Sequence, residues 1–223
     1  MKKPKIFIAC DTTNIRKIKK IITNSQSSKI NFGYKFGLEF LNSKNGRKFV
    51  SGLKNKITFG DYKLADIPNT CASAIKAVKD LKLNYLTIHI SSGLDALKIA
   101  KKFAGKTKLI GVTILTSLNN KSLKEIGFDK DVKKLVFHQA KLATKAKLDA
   151  IVCSPHEIKI VKKVFKKEII TPGIRLSGDS KGDQKRVMTP KQAFQNGATA
   201  IVMGRSLTGN IKKNIKKLIR ELN

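Results

Sequence analysis

Tryptophan is missing from this 223-residue chain, aromatic residues make up 6% of it, and only six of its 47 basic residues are arginine. These scarcities bear on the formal charge of +32, which taken alone suggests a nucleic-acid partner. Nucleic-acid binders gather charge on one face, use arginine for bidentate contacts and interleave aromatics for stacking. Here the lysines are strewn through every predicted helix, as in Lys17-Ile18-Lys19-Lys20, Lys133-Lys134 and Lys216-Lys217. We therefore expect no nucleic-acid partner and read the lysine excess as coding bias. Such a field still speeds encounter with a small anion. The chain also lacks any apolar run of about 18 residues, so no membrane-spanning helix is expected. Cysteine is sparse: Cys10, Cys71 and Cys153 are odd in number and far apart, which fits reduced thiols and argues against a disulfide framework or a zinc site. Met1-Lys2-Lys3-Pro4 leads straight into Ile6-Phe7-Ile8-Ala9 with no signal-peptide core, so the expected location is cytoplasmic.

What is present is a regular alternation. Apolar runs of strand length at Lys5–Cys10, Asn31–Phe36, Ile57–Tyr62, Tyr85–His89, Leu109–Leu115, Ala150–Cys153, Ile169–Ile170 and Ala200–Met203 are each followed by a helical pattern. Strands that are apolar on both faces and separated by helices imply a parallel sheet covered by helices. Eight such units in so short a chain predict a (β/α)₈ TIM barrel, one domain spanning residues 1–223. An open doubly wound sheet is the alternative, but no G-x-G-x-x-G follows the first strand.

The chemistry of such a barrel sits on the loops after the strands. The third strand ends in Gly60-Asp61-Tyr62-Lys63-Leu64-Ala65-Asp66-Ile67-Pro68-Asn69-Thr70, with two carboxylates and an ammonium within six residues. Side chains alternate along a strand, so Asp61 and Lys63 share a face. Asp66 lies past the strand end, where its own pocket is hard to reach, and Pro68 marks a first helical turn. Spacing alone leaves both a catalytic edge and a surface ion pair open. Asp11 follows the first strand, Lys35 ends the second, and Thr116-Ser117 follow the fifth. Gly173 and Arg175 follow the seventh, Gly204 and Arg205 the eighth, and Gln184 lies in the long stretch between. Glycines admit backbone N–H groups to a phosphate, and arginine binds it with two bonds. These loops therefore predict a site for a phosphorylated small molecule.

Along nearly its whole length the chain resembles the orotidine 5′-phosphate decarboxylases. The resemblance rests on Asp61-x-Lys63-x-x-Asp66-Ile67-Pro68-Asn69-Thr70, Tyr34-Lys35-Phe36-Gly37, Val112-Thr113-Ile114-Leu115-Thr116-Ser117, Thr171-Pro172-Gly173-Ile174-Arg175, Gly182-Asp183-Gln184-Lys185-Arg186-Val187-Met188-Thr189-Pro190 and Val202-Met203-Gly204-Arg205. It implies conversion of orotidine 5′-phosphate to uridine 5′-phosphate and carbon dioxide in pyrimidine biosynthesis, with neither metal nor organic cofactor. It further implies a charge array of Lys35, Asp61 and Lys63, completed by Asp66 from the other subunit of a homodimer. Lys63 would protonate C6, Asp61 would face the substrate carboxylate, and Lys35 would hold Asp61 and contact the ribose. Asp11 would bind ribose hydroxyls, and Thr70 would join Asp66 in the neighbouring site. Thr116, with Ser117 nearby, would face the base. Arg175, Gln184, Gly204 and Arg205 would hold the phosphate. Leu176 stands where a proline is common in the family.

Two other functions compete. One is a magnesium-dependent phosphosugar barrel, a hexulose-phosphate synthase or keto-gulonate-phosphate decarboxylase, which shares the Asp-x-Lys-x-x-Asp core; the long Gly178–Val187 loop argues against it. The other is a basic binding protein without catalysis, which retention of every charged site residue argues against. His89 ends the fourth strand and either lines the pocket or makes a structural hydrogen bond; His138 and His156 are read as structural. The last helix, with Ile211, Ile215 and Leu218 on one stripe, is read as an outer barrel helix and not as a membrane-surface helix.

Overall fold

In the computed structural model, which describes residues 3–179 and 187–222, eight parallel strands close on themselves in chain order. They are β1 (Lys5–Ala9), β2 (Asn31–Phe36), β3 (Ile57–Leu64), β4 (Tyr85–His89), β5 (Lys108–Val112), β6 (Ala150–Val152), β7 (Glu168–Thr171) and β8 (Ala200–Met203). β1 pairs with both β2 and β8, so the barrel has no open edge. Helices follow the strands, and the (β/α)₈ expectation holds.

Alternation along the strands builds two apolar layers. Phe7, Phe59, Tyr85, Ile110, Ile170 and Val202 fill the interior, where the Phe7 ring meets Phe59 and Tyr85 edge-on at 5.1 and 5.2 Å. Their neighbours, such as Ile6, Ile8, Leu86 and Ile88, face outward to the helices. Gly33 is required by this packing, since a Cβ there would stand 2.7 Å from the Phe7 ring. At the N-terminal ends of the strands Glu168 accepts hydrogen bonds from Lys5 at 3.0 Å, the Tyr85 hydroxyl at 3.0 Å and Lys108. This satisfied cluster forms a floor, and the open mouth lies at the other end.

The helices depart from the simplest reading in two places. The helical pattern after the second strand folds as two short helices, Leu38–Leu41 and Gly46–Ser51. The chain folds back so tightly between them that a Cβ on Gly46 would fall 1.8 Å from the Phe40 carbonyl oxygen. The helical pattern after the fifth strand divides into Asn120–Glu125 and Val132–Lys145. Each has its own N-cap, Asn119 accepting from Ser122 N at 3.0 Å and Asp131 from Lys134 N at 2.8 Å. The last helix, Ile211–Leu222, buries Ile211, Ile215 and Leu218 and leaves Lys212, Lys213 and Lys216 in water. No described helix is long and apolar enough to cross a membrane.

Candidate active site

The centre of the mouth is built by an irregularity in β3. Phe59 and Gly60 pair with Tyr85 and Leu86, but the next partner pair is Leu64 with Ile88, so β3 bulges between them. Inside the bulge Lys63 adopts φ +50, a left-handed conformation that costs a non-glycine residue about 1–2 kcal/mol. Its N–H, displaced from the ladder, donates to Thr87 Oγ1 at 2.8 Å. Its side chain curls back so that Nζ donates to Asp61 Oδ2 at 2.8 Å. Asp61 and Lys63 therefore do converge, through a strained bulge and not by plain strand alternation. β3 correspondingly runs to Leu64, past the expected end at Tyr62.

Around Asp61 the charges form a continuous chain. Lys35 Nζ lies 3.3 Å from Asp61 Oδ2 and donates to Asp11 Oδ1 at 3.2 Å. The other carboxylate oxygen, Oδ1, accepts from the Thr87 hydroxyl at 3.2 Å. Asp61 is 8% exposed. Burial alone would raise its pKa, but the ammoniums of Lys35 and Lys63 outweigh that and hold it below the ordinary carboxylate range. Burial likewise opposes the charge on Lys35, and Asp61 and Asp11 overcome it, leaving its pKa above the ordinary lysine value. Both shifts favour the charged forms of Asp61 and Lys35. His89, half-buried, has its pKa lowered by burial and then by Lys63; it does not line the cavity. Cys10, beneath Asp11, is pushed up to about 12 by burial and by that carboxylate, so it remains a thiol.

The cavity above this array has a volume of about 280 Å³. Asp11, Lys35, Asp61 and Lys63 line it from the ends of β1 to β3; Val112, Ile114 and Val152 give apolar surface; Gly173, Arg175, Gly204 and Arg205 line it from beyond β7 and β8. Four cationic side chains against two carboxylates favour an anionic ligand. Gly173 has φ +76, which calls for glycine. At Gly204 the φ is unremarkable at −108, and a Cβ would meet nothing nearer than Ala9 Cβ at 3.7 Å. The bare α-carbon leaves room there for a ligand to approach the backbone.

Eight residues read from the sequence as site residues meet in this one cavity: Asp11, Lys35, Asp61, Lys63, Thr116, Arg175, Gly204 and Arg205. Ser117 does not line it and is exposed. Asp66 and Thr70 are outside it and exposed, flanking Ile67, which is 66% exposed despite being apolar. Gln184 lies outside the described residues, as does Arg186. The residue that sequence reading missed is Thr87. A threonine inside an apolar strand looks like any β-branched strand former; only its position two residues after the inward Tyr85 hints at a polar group beneath the mouth.

Comparison with known proteins agrees with this geometry. Residues 4–216 match the model of the Orotidine 5′-phosphate decarboxylase / HUMPS family. The chain is 43% identical to the orotidine 5′-phosphate decarboxylase of Wolbachia sp. subsp. Brugia malayi (strain TRS), covering 96% of each chain. It is 42% identical to that of Buchnera aphidicola subsp. Schizaphis graminum (strain Sg), covering 96% of this chain and 93% of the other. The crystal structure of orotidine 5′-phosphate decarboxylase from Lactobacillus acidophilus superposes with a TM-score of 0.83 at 30% identity over the full length of both.

Proposed function

Because this chain belongs to the Orotidine 5′-phosphate decarboxylase / HUMPS family, we propose that its barrel mouth decarboxylates orotidine 5′-phosphate to uridine 5′-phosphate, as a carboxy-lyase of pyrimidine biosynthesis. The observation that carries this reading is the Asp11–Lys35–Asp61–Lys63 chain of charges, which shares one cavity with Arg175, Gly204 and Arg205. The arginine side takes the phosphate and the apolar wall takes the pyrimidine, which brings the substrate carboxylate against Asp61. Two like charges about 4 Å apart repel by roughly 4 kcal/mol at an effective dielectric near 20. That repulsion vanishes as carbon dioxide leaves. The C6–carboxylate bond breaks with its electron pair remaining on C6, where Lys63 stabilises it and delivers a proton from Nζ. Lys35 steadies Asp61 and, with Asp11, binds the ribose; Thr116 faces the base, and Gln184 joins Arg175, Gly204 and Arg205 as a phosphate ligand.

The magnesium-dependent phosphosugar reading is not favoured. Asp61 offers little to a divalent cation when Oδ2 already faces two ammoniums and Oδ1 holds the Thr87 hydroxyl. Incubating chelator-treated protein with orotidine 5′-phosphate, and separately with hexulose and keto-gulonate phosphates, tests the choice. Ultraviolet loss of the orotidine signal despite EDTA supports the decarboxylase, whereas turnover only of a phosphosugar with added magnesium overturns it.

The active unit is a homodimer in which Asp66 and Thr70 complete the neighbouring subunit's cavity. Supporting this, both lie outside the cavity of their own chain, beside the exposed Ile67. Mixing Lys63→Ala with Asp66→Ala subunits should restore activity that neither has alone; no recovery would remove the basis for a shared site. Its setting is the cytoplasm.

A further inference from the structure

Thr87 is fully buried, two residues after Tyr85 of the apolar interior and on the same face of the fourth strand. A hydroxyl has one proton to give and two lone pairs to receive with. Here the proton goes to Asp61 Oδ1 at 3.2 Å, and the oxygen accepts the Lys63 N–H at 2.8 Å. That N–H was freed by the β3 bulge, whose register jump leaves no ladder acceptor opposite it. One side chain therefore anchors both the carboxylate meant to face the leaving group and the left-handed backbone that aims the proton donor. Lys35 and Lys63 both reach Oδ2, which sets where that oxygen sits but leaves the carboxylate plane free to turn. The bond to Oδ1 fixes that plane.

We propose that Thr87 is a positioning residue for the decarboxylation, coupling the orientation of Asp61 to the strained bulge that presents Lys63. The coupling deepens the reading of the site given above and rests on it. Removing the hydroxyl leaves the partly buried Lys63 N–H without this acceptor, so the bulge relaxes and Nζ drifts from C6 while the phosphate and base contacts survive. Removing it also takes a donor from the ionised form of Asp61, which shifts that carboxyl's titration upward. The other groups facing Asp61 are Lys35 from β2 and Lys63 from its own strand, with Asp11 beyond Lys35 and His89 further along β4.

The test compares Thr87→Val, which keeps the shape, with Thr87→Ser, which keeps the hydroxyl. Steady-state kinetics on orotidine 5′-phosphate should show kcat reduced about 10- to 100-fold in the valine variant, with KM within about threefold of wild type. The serine variant should recover most of the loss. On the substrate-free proteins, carbon-13 NMR of the Asp61 carboxyl should give a higher titration midpoint in Thr87→Val and a restored one in Thr87→Ser. Wild-type kcat in Thr87→Val, or equal losses in both variants with an unmoved Asp61 midpoint, overturns the proposal. A wild-type protein that does not turn over the substrate defeats the functional reading instead, and the carboxyl titration then decides Thr87 by itself.

Discussion

Replacing Asp61 by asparagine tests whether the charge array is a source of stability or a stored strain. Asp61 Oδ2 lies 2.8 Å from Lys63 Nζ and 3.3 Å from Lys35 Nζ. At an effective dielectric near 20 each pair attracts by roughly 5–6 kcal/mol before desolvation is counted. Burying the ions takes most of that back, and removing one partner of a buried pair typically costs about 3–5 kcal/mol. Two features lower the figure here. Lys63, with a side chain 32% exposed, can turn to water, and Lys35 keeps Asp11 at 3.2 Å. We expect Asp61→Asn to lose about 2–3 kcal/mol in urea unfolding, or about 5–10 °C in Tm for a chain of this size.

The pH dependence carries its own sign. Asp61 has its folded pKa depressed below 3.8, so its contribution is complete above 3.8 and fades as pH falls through the lower folded value. Lys35 has its folded pKa raised above 10.5, so its share is complete below 10.5 and fades as pH rises through the folded value. The difference between wild type and Asp61→Asn should be flat from about pH 5 to 9 and shrink beyond both ends. An Asp61→Asn protein as stable as wild type, or more so, would refute the reasoning. It would mean that desolvation outweighs attraction among these charges.

Gly204→Ala should leave Tm unchanged, because a Cβ fits 3.7 Å from Ala9. It should raise KM about tenfold, or ~1.4 kcal/mol, by crowding the ligand's approach to the backbone; steady-state kinetics with thermal melts separate the two effects. Glu168→Gln, at the floor, should cost about 1–3 kcal/mol of stability at pH 7 by leaving Lys5 and Lys108 without their carboxylate. The Glu168 pKa is held below 4.5 by Lys108 and Lys5 against burial, so this loss should vanish as pH falls through that lower value, while kcat stays at wild type. If the +32 field steers the substrate, kcat/KM should fall with added salt while kcat holds; a flat salt profile would limit the lysines to solubility.

The barrel was legible because its determinants are local. Most strands are short apolar runs and most helices amphipathic, and eight alternations leave a parallel barrel as the economical closure. The ligands of the cavity were legible for the same reason, since Asp11, Lys35, Arg175 and Arg205 each stand at or just past a strand end. What escaped is non-local. The split between Leu38–Leu41 and Gly46–Ser51 depends on Gly46 lying against the Phe40 carbonyl, a contact that apolar periodicity does not register. The bulge at Lys63 depends on how β3 pairs with β4. Thr87 gains its meaning only once that pairing sets its hydroxyl between Asp61 and Lys63. Asp66, two residues past the end of β3, is exposed and does not line the cavity of its own chain.

The central claim is that Lys63 delivers the proton to C6 as carbon dioxide leaves. Its most direct test is the ultraviolet decay of orotidine 5′-phosphate with Lys63→Ala and wild type, matched for fold by circular dichroism and assayed in EDTA. The account predicts rapid decay with wild type and a rate at least about 10²- to 10⁴-fold lower without the ammonium. Turnover by Lys63→Ala within tenfold of wild type would contradict it and require another proton source at the barrel mouth.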